Sequence, residues 1–148
     1  MSVAKVPGAV LFACGLNRIR SPMAAGLMRR LHGPGMVVES CGVHVDPDGL
    51  PDPFVATVMD EIGVDVGGHA PRTFEDLEGL SFDLIVSLSP EAHRRAIEVA
   101  GDRPVELAFW PATDPTLTTG SRETILAAYR SVRDDLDRLI RERLSLAT

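Results

Sequence analysis

The segment from Cys14 to Ser21 has the residue types that nucleophilic chemistry on an oxyanion requires. It reads Cys-Gly-Leu-Asn-Arg-Ile-Arg-Ser, so five residues separate Cys14 from Arg20, and a serine follows. A thiolate is a strong nucleophile, and a helix N-terminus beside an arginine favours the thiolate over the thiol. The planar guanidinium of Arg20 can bind two oxygens of a phosphoryl group and stabilise its charge. The spacing predicts that Cys14 attacks a phosphoryl group held by Arg20.

The residues between Cys14 and Arg20 predict a binding loop built from main-chain amides. A loop that turns successive N–H groups inward, in front of a helix N-terminus, can bind an anion such as phosphate or arsenate. Asparagine tolerates the left-handed backbone that such a tight loop needs. A serine hydroxyl can donate to the sulfur and help it to leave when a covalent intermediate is hydrolysed. The predicted phosphate-binding and supporting residues of this loop are Gly15, Leu16, Asn17, Arg18, Ile19 and Ser21.

A proton donor for the leaving group is predicted at Asp114, within the run Thr113-Asp114-Pro115. An Asp-Pro pair is usually only a turn signal. This loop follows a predicted strand, however, so it can emerge at the same edge of the sheet as Cys14. As an acid, Asp114 would protonate the departing oxygen, and as a base it would then activate water against a phosphocysteine.

A short strand and a helix are expected to position the Cys14 loop. Residues 9–13 are apolar and bounded by glycines, which is typical of a strand buried in a parallel sheet. Ser21 and Pro22 are the residue types of a helix N-cap and of a first helical position. The sequence therefore predicts the order strand, tight loop, helix.

The same alternation continues along the chain. Further strands are predicted at residues 36–38, 84–88 and 104–109, and further helices begin at Asp52, Pro90 and about Ser121. Strands that alternate with helices predict an α/β fold, here one domain over residues 1–148, with a doubly wound parallel sheet and helices on both faces. Ligands of such sheets bind outside the carboxyl ends of the strands, where the Cys14 loop is predicted to lie.

The composition excludes several classes of protein. Of the 148 residues 45% are hydrophobic and 24% are charged, as in an ordinary globular domain. Two cysteines are too few for a disulfide scaffold or a cysteine-based zinc site, which favours a reducing, cytoplasmic location. A net charge of -6 argues against nucleic acid as a partner. No signal peptide or membrane span is visible, so no membrane partner is expected.

Taken together, these residues resemble the low-molecular-weight protein tyrosine phosphatase family. The resemblance rests on residues 10–14, on Arg20-Ser21-Pro22 and on Asp114-Pro115, and it extends over nearly the whole chain. It implies a four-stranded parallel sheet, no metal and no cofactor. It also implies a phosphocysteine intermediate, a phosphorylated protein or small phosphomonoester as substrate, and inorganic phosphate as product. The implied roles are nucleophile for Cys14, phosphate binder for Arg20 and general acid for Asp114.

Two further segments carry the resemblance. Ser40-Cys41-Gly42-Val43 is similar to the family's Ser-Ala-Gly segment after the second strand, and residues 63–72 are similar to its Gly-Ile-Asp…His-x-x-Arg stretch. Within that stretch the resemblance implies that His69 makes a hydrogen bond that holds Asn17. Asn17, Ser21 and His69 would thus support the loop.

The loop itself departs from the family pattern at two places. Gly15 and Leu16 occur in the reverse of the usual order, so a shifted loop conformation is expected. Ile19 stands where many members have a second loop cysteine, which excludes a protective disulfide within the loop.

Three departures lie outside the loop. Thr116 replaces the aromatic residue that commonly follows Asp-Pro, and residues 43–50 contain no aromatic residue. The usual walls for a phosphotyrosine ring are therefore missing. Ser89 and Ala92 stand in place of the family's Asp-x-x-Asn after the third strand.

Two alternatives to a phosphatase stay open. An arsenate reductase would use the same loop, but residues 82–100 contain no cysteine for an internal relay and Cys41 is expected in the core. Such a reductase would need an external small-molecule thiol. The second alternative is a catalytically impaired relative that binds oxyanions without hydrolysing them.

Overall fold

A computed structural model describes residues 7–49 and 52–144 of the chain. Within these ranges four strands form one parallel sheet with the order β2-β1-β3-β4. The strands are β1 Ala9–Cys14, β2 Val37–Gly42, β3 Leu84–Ser87 and β4 Glu106–Phe109. The helices are α1 Arg20–His32, α2 Pro53–Asp60, α3 Pro90–Ala100 and α4 Arg122–Leu144. Three short 3-10 turns cover residues 33–35, 75–77 and 115–117.

The register of the sheet brings the carboxyl ends of its strands to one edge. Ala13 pairs with Cys41 of β2 and with Ser87 of β3, and Ser87 pairs in turn with Phe109 of β4. Because all of these pairs are parallel, the loop that follows Cys14 lies at this edge, beside the segments that follow the other three strands. The predicted fold, a four-stranded parallel sheet with helices on both faces, is confirmed.

The two faces of the sheet pack against different helices. Val10 and Phe12 of β1 face a core that also contains buried side chains of α1, α2 and α4. Leu11 and Ala13 point to the other face, where Ala92 of α3 covers them. Since successive side chains of a strand alternate in direction, this arrangement follows from the period of two in β1.

The structure corrects the predicted boundaries of the strands. The first strand ends at Cys14, one residue after its predicted end, and the third ends at Ser87, one residue before its predicted end. The second strand runs from Val37 to Gly42 and is longer than the predicted residues 36–38. Its polar residues Glu39 and Ser40 interrupt the apolar run but still pair with β1, because Ser40 is buried and Glu39 forms an ion pair with Arg72. The fourth strand is shorter than predicted and begins only at residue 106.

The predicted N-cap role of Ser21 was wrong. The N-cap position of α1 is Ile19, and Ser21 is the second helical residue. Its hydroxyl does not cap the helix, because it contacts the Cys14 sulfur and accepts a hydrogen bond from Asn17. The helices predicted to begin at Asp52 and Pro90 do begin there, each with a side-chain cap.

Within residues 7–49 and 52–144, no helix has the length and apolar character needed to cross a membrane.

Candidate active site

The loop between β1 and α1 directs its carbonyl groups outward. The Gly15 carbonyl accepts hydrogen bonds from the N–H groups of Val43 (2.9 Å) and His44 (3.0 Å), and the Asn17 carbonyl accepts one from His69 Nε2 (2.8 Å). The N–H groups of Gly15, Leu16, Asn17 and Ile19, in contrast, find no acceptor among the residues that the structure describes. These amides at the start of α1 are therefore available to an anion.

Asn17 fixes the shape of this loop. It has a φ of 54° and is the only non-glycine residue with positive φ in the described part of the chain. Its side-chain amide donates to Ser21 Oγ (2.8 Å) and Ser40 Oγ (2.9 Å), and its Oδ1 accepts the N–H of Arg72 (2.9 Å). These hydrogen bonds tie the left-handed residue to α1, β2 and the segment around Arg72. The predicted left-handed conformation at Asn17 is confirmed.

The reversed order of Gly15 and Leu16 requires no left-handed backbone conformation at either residue. Neither residue has a positive φ, so the left-handed turn of the loop depends on Asn17 alone. The Leu16 side chain points outward and is 51% exposed. Ile19, in the position of a second loop cysteine, is buried in the core.

The Cys14 sulfur lies at the base of the loop, 2.9 Å from Ser21 Oγ. Ser21 Oγ also lies 3.3 Å from the Cys41 carbonyl and accepts the amide of Asn17. Because the Asn17 donor occupies one lone pair of this oxygen, the hydroxyl hydrogen is free to point at the sulfur or at the carbonyl. The predicted contact between Ser21 and Cys14 is present.

Arg20 connects the loop to the segment that carries Asp114. Arg20 Nη1 donates to the carbonyl oxygen of Ala112 at 3.1 Å. Two residues later, Asp114 Oδ1 accepts the N–H of Thr116 (3.0 Å) and its hydroxyl (2.6 Å), which caps the 3-10 turn of residues 115–117. The structure thus places the segment of the predicted acid directly beside the predicted phosphate binder.

His69 supports the loop from behind. Burial lowers the pKa of His69, the hydrogen bond to Asn17 raises it, and the charges of Arg72 and Arg29 lower it further. A lowered pKa favours the neutral imidazole, which donates from Nε2 to the Asn17 carbonyl. This is the hydrogen bond that the family resemblance implied.

The second cysteine lies on the other face of the sheet. Cys41 pairs with Ala13 and is completely buried among the residues under α3. Burial raises the pKa of its thiol far above the ordinary value, and the neighbouring Cys14 acts in the same direction. Because Cys14 and Cys41 point to opposite faces of adjacent strands, they cannot form a disulfide without movement of the backbone. Cys41 packs in the core, as predicted.

Three supporting residues were not among the predicted site residues. Ser40 and Arg72 hold the Asn17 side chain, and Gly42 lets the loop pass close to β2. A Cβ atom on Gly42 would lie only 2.8 Å from the Asn17 nitrogen and from the Leu16 carbonyl carbon. The similarity of residues 40–43 to the family's Ser-Ala-Gly segment was the signal that could have identified Ser40 and Gly42.

Neither the described cysteines nor the described histidines and carboxylates suggest a metal site. Across residues 7–49 and 52–144, no three such side chains come together in a group that could hold an ion. Ser89, in the position of the family's aspartate, accepts the N–H of Ala92 and so caps α3.

Comparisons with known proteins identify a family and several relatives. A family model described as low molecular weight phosphotyrosine protein phosphatase matches residues 9–145. An arsenate reductase of Halalkalibacterium halodurans is 29% identical over 132 residues, which cover 89% of this chain and 91% of the relative. A protein-arginine-phosphatase of Bacillus subtilis is 28% identical over 144 residues, which cover 90% of this chain and 92% of the relative.

A solved structure shows the same fold. The tyrosine phosphatase Wzb from Escherichia coli K30, in complex with sulphate, superposes with a TM-score of 0.74 at 21% sequence identity. The superposition covers 95% of this chain and all of the Wzb chain. At this level of identity the match supports the fold.

Proposed function

The chain belongs to the low molecular weight phosphotyrosine protein phosphatase family, and on that premise we propose that it is a cysteine-dependent phosphatase. It hydrolyses a phosphomonoester, either on a protein or on an aryl alcohol, through a phosphocysteine intermediate. The observation that carries this proposal is the loop that follows Cys14 at the start of α1, where several N–H groups have no acceptor among the described residues. That Wzb was solved with bound sulphate adds support, because sulphate has the tetrahedral shape of phosphate.

In the first step the Cys14 sulfur attacks phosphorus, and the bond from phosphorus to the leaving oxygen breaks. The loop amides and the Arg20 guanidinium bind the remaining oxygens and stabilise their negative charge in the transition state. Asp114, as a carboxylic acid, gives its proton to the leaving oxygen. The products of this step are an alcohol or phenol and a phosphocysteine.

In the second step the Asp114 carboxylate takes a proton from water, and the water oxygen attacks phosphorus. The bond between sulfur and phosphorus breaks, and the sulfur leaves as a thiolate that the Ser21 hydroxyl can stabilise by donating to it. Inorganic phosphate is released, and Asp114 is again protonated for the next cycle. No external redox partner or metal takes part in this sequence.

The test of the proposal is hydrolysis of p-nitrophenyl phosphate with and without EDTA. We expect turnover that EDTA does not change, and a loss of at least about 10³-fold in kcat for Cys14→Ser. Cys41→Ser is the matched control, since this thiol is sealed on the other face of the sheet and should leave kcat within a few-fold of the wild type. Equal activity of the Cys14→Ser protein, or loss of activity with EDTA, would reject the proposal.

The role of Asp114 is tested separately. Asp114→Ala should lower kcat by roughly 10²-fold, because general acid catalysis contributes about that much. Inhibition by inorganic phosphate should stay nearly unchanged, since the loop and Arg20 bind the anion. An equal loss of turnover and of phosphate binding would show that Asp114 maintains the loop and does not transfer the proton.

A second candidate function is arsenate reduction, favoured by the arsenate reductase among the relatives. In that reaction two thiols give two electrons to arsenate, which becomes arsenite while a disulfide forms. Cys41 cannot supply the second thiol from its buried position, so a small-molecule thiol such as glutathione must do so. Arsenate-dependent oxidation of glutathione by the purified protein would support this function. Oxyanion binding without turnover in either assay would indicate the impaired, regulatory relative.

We also propose that the protein works in a reducing, cytoplasmic environment. Both cysteines are free in the structure, and the nucleophile of the proposed reaction must remain a thiol or thiolate. Ile19 removes the loop partner that could protect Cys14 as a disulfide. Loss of activity in air and its recovery with dithiothreitol would agree with this proposal.

A further inference from the structure

A cavity of about 540 Å³ lies on the α3 face of the sheet, away from the candidate active site. Leu11 of β1 and Ile85 of β3, which pair with each other in the sheet, form its floor. Its walls come from residues 74–83, from the second half of α3 and from residues 103–105. Because residues 81–83 and 103–105 precede β3 and β4, the cavity lies toward the amino ends of the strands, whereas the Cys14 loop follows a carboxyl end.

The base of this cavity is apolar. Four side chains that are at most 6% exposed line it, which are Leu11, Phe74, Leu77 and Ile85. Val99 of α3 also lines the cavity and packs against the same cluster. Apolar side chains beside an empty space lack the dispersion contacts that a filled space would give them. The apolar body of a ligand would supply these contacts, and the volume is in the range of small-molecule sites.

Contacts within the protein hold the walls of the cavity together. Arg95 Nη2 of α3 donates to Glu75 Oε2, in the 3-10 turn of residues 75–77, at 2.7 Å. Arg103 Nη2 donates to the carbonyl oxygen of Val99 at 2.6 Å, which joins the segment before β4 to the end of α3. The cavity is therefore formed before any ligand enters it.

The rim of the cavity has an excess of negative charge. Among the described residues that line it, four have carboxylates, which are Glu75, Glu78, Asp83 and Glu98. Two have guanidinium groups, which are Arg95 and Arg103. Arg95 binds Glu75 and lies 4.0 Å from Glu98, whereas Glu78 has no ion pair within the described part of the chain. Such an excess of carboxylates attracts a cation and repels an anion.

Glu78 and Asp83 lie on the same wall, and the hydroxyl of Ser81 lies between them in the sequence. Carboxylate and hydroxyl oxygens can accept the N–H groups of an ammonium ion, and hydrogen bonds between charged groups are the stronger ones. This wall thus offers polar acceptors above an apolar base.

We propose that the cavity binds an amphiphilic amine, that is, a small molecule with a primary ammonium group on an apolar body. The apolar body fills the base between Leu77 and Val99, and the ammonium group donates to the wall of Glu78 and Asp83. An anion of the same shape meets the excess of carboxylates and binds more weakly. This binding site is separate from the proposed phosphatase reaction.

The experiment compares three compounds that share one apolar body and differ in their charge: 4-phenylbutylamine, 4-phenylbutan-1-ol and 4-phenylbutanoate. Each is titrated into ¹⁵N-labelled protein at about pH 7 and low ionic strength, and the amide chemical shifts give the location and the dissociation constant. We expect saturable shifts at Leu11, Leu77 and Val99. The carboxylate should bind about tenfold more weakly than the amine, with the alcohol between them.

Val99→Trp assigns the binding to this cavity. The larger side chain should fill the base of the cavity and weaken binding of the amine by at least about tenfold. Ile97→Trp is the matched control, because Ile97 lies on the same helix, is 51% exposed and does not line the cavity. Its dissociation constant should equal that of the wild type.

Glu78→Gln tests the charge of the rim. It keeps the size of an exposed side chain and removes one negative charge, so it should weaken the amine about two- to fivefold and leave the alcohol unchanged. Because this substitution is at the surface, it tests the proposal even if Val99→Trp does not fold.

Inorganic phosphate separates this site from the Cys14 loop. Phosphate should leave the dissociation constant of the amine unchanged, whereas competition, or shifts confined to residues 14–20, would place the compound in that loop and overturn the proposal. No saturable shift with the amine, binding of the alcohol or the carboxylate as tight as that of the amine, or wild-type affinity in both Val99→Trp and Glu78→Gln would also overturn it. None of these outcomes changes the test of the phosphatase function, which is hydrolysis of p-nitrophenyl phosphate.

Discussion

Helices α1 and α3 both begin just after neighbouring parallel strands, but their first turns are completed differently. At α3, the Ser89 hydroxyl accepts the N–H of Ala92, and at α2 the Asp52 carboxylate takes the same role. At α1, Ile19 occupies the N-cap position without a side-chain hydrogen bond, and the first turn contains no acidic residue. The first N–H groups of a helix need acceptors from outside the helix. A side-chain acceptor completes the first turns of α2 and α3, whereas the N-cap of α1 provides none, as the proposed anion site requires.

The loop before the uncapped end of α1 depends on neighbouring segments for its shape. The turn into α3 has only two residues, Leu88 and the capping Ser89. The loop into α1 is longer, and it is held by hydrogen bonds from α1, β2 and the segment around His69 and Arg72. The loop amides have no acceptor among the described residues, so they do not themselves fix the shape of the loop. Its shape must therefore come from neighbours, and substitutions of those neighbours should affect ligand binding more than the same changes at α3.

Gly42→Ala should have the largest effect, because it disturbs the loop into α1 and leaves α3 unchanged. The new Cβ would meet the backbone of the loop at 2.8 Å, and backbone atoms cannot rotate out of the way as the end of a side chain can. The loop must shift by several tenths of an ångström, so we expect kcat/KM for p-nitrophenyl phosphate to fall by about 10²-fold. Inhibition by inorganic phosphate should weaken in parallel, because the same amides bind both.

Gly35→Ala is the matched control for that substitution. No atom lies within 4 Å of an added Cβ at Gly35, and the residue does not have positive φ. Its activity and phosphate inhibition should equal those of the wild type. Wild-type kinetics in Gly42→Ala would contradict the inference that the close approach of β2 shapes the loop.

Two substitutions of Asn17 should separate the two ways in which this residue holds the loop, which are its positive φ and its side-chain hydrogen bonds. Asn17→Gly keeps the left-handed backbone but removes the hydrogen bonds to Ser21, Ser40 and Arg72, which should cost about 2 to 3 kcal/mol of the free energy of unfolding. Asn17→Ala adds a Cβ at positive φ and should cost about 1 kcal/mol more. Urea denaturation measures both. Equal free energies of unfolding for the two variants would show that the positive φ at residue 17 does not destabilise a residue with a Cβ.

Ser89→Ala tests the capped helix and should have a smaller effect. Loss of the hydrogen bond to Ala92 N–H should lower the free energy of unfolding by about 1 kcal/mol, as for other serine caps. kcat/KM should not change, because α3 does not supply amides to the phosphate loop. A drop in activity larger than the drop in folded fraction would show that the end of α3 takes part in the site.

The smallest expected effect is the pH dependence that His69 gives to stability. Burial lowers the pKa of His69 in the folded protein, so the unfolded chain takes up a proton first as the pH falls. The neutral histidine thus stabilises the fold fully above pH of about 6.5, and this contribution is lost as the pH falls below that value. Denaturation midpoints of the wild type should decrease more between pH 7.5 and 5.5 than those of His69→Gln. Parallel midpoints would contradict the lowered pKa.

The sequence predicted the sheet and the loop because the signals for both are local. The apolar run of β1, the spacing of Cys14 and Arg20, and the Asp-Pro and Ser-Pro pairs that open α2 and α3 can each be recognised within a few residues. The family resemblance then identified His69, which lies 52 residues from its partner Asn17 and has no local signal of its own.

What the sequence could not give depends on contacts between distant segments. Ser21 has the sequence of an N-cap, but the Cys14 sulfur and the Asn17 amide compete for its hydroxyl once the loop is folded. β2 extends through two polar residues because their partners come from the loop and from Arg72. The requirement for Gly42 arises from the path of the loop over β2, and it becomes visible only in three dimensions.

The predominance of main-chain amides in the proposed phosphate-binding loop, residues 14–20, has a consequence for inhibitors. A phosphate mimic that contacts only these amides would meet the same groups in any relative with this loop, whatever its side chains. Relatives at 28% and 29% identity have the names of an arginine phosphatase and an arsenate reductase. Such a compound would distinguish poorly among relatives that share the loop. A selective compound for this protein would have to reach outward from the proposed anion site, toward exposed side chains of the loop such as Leu16.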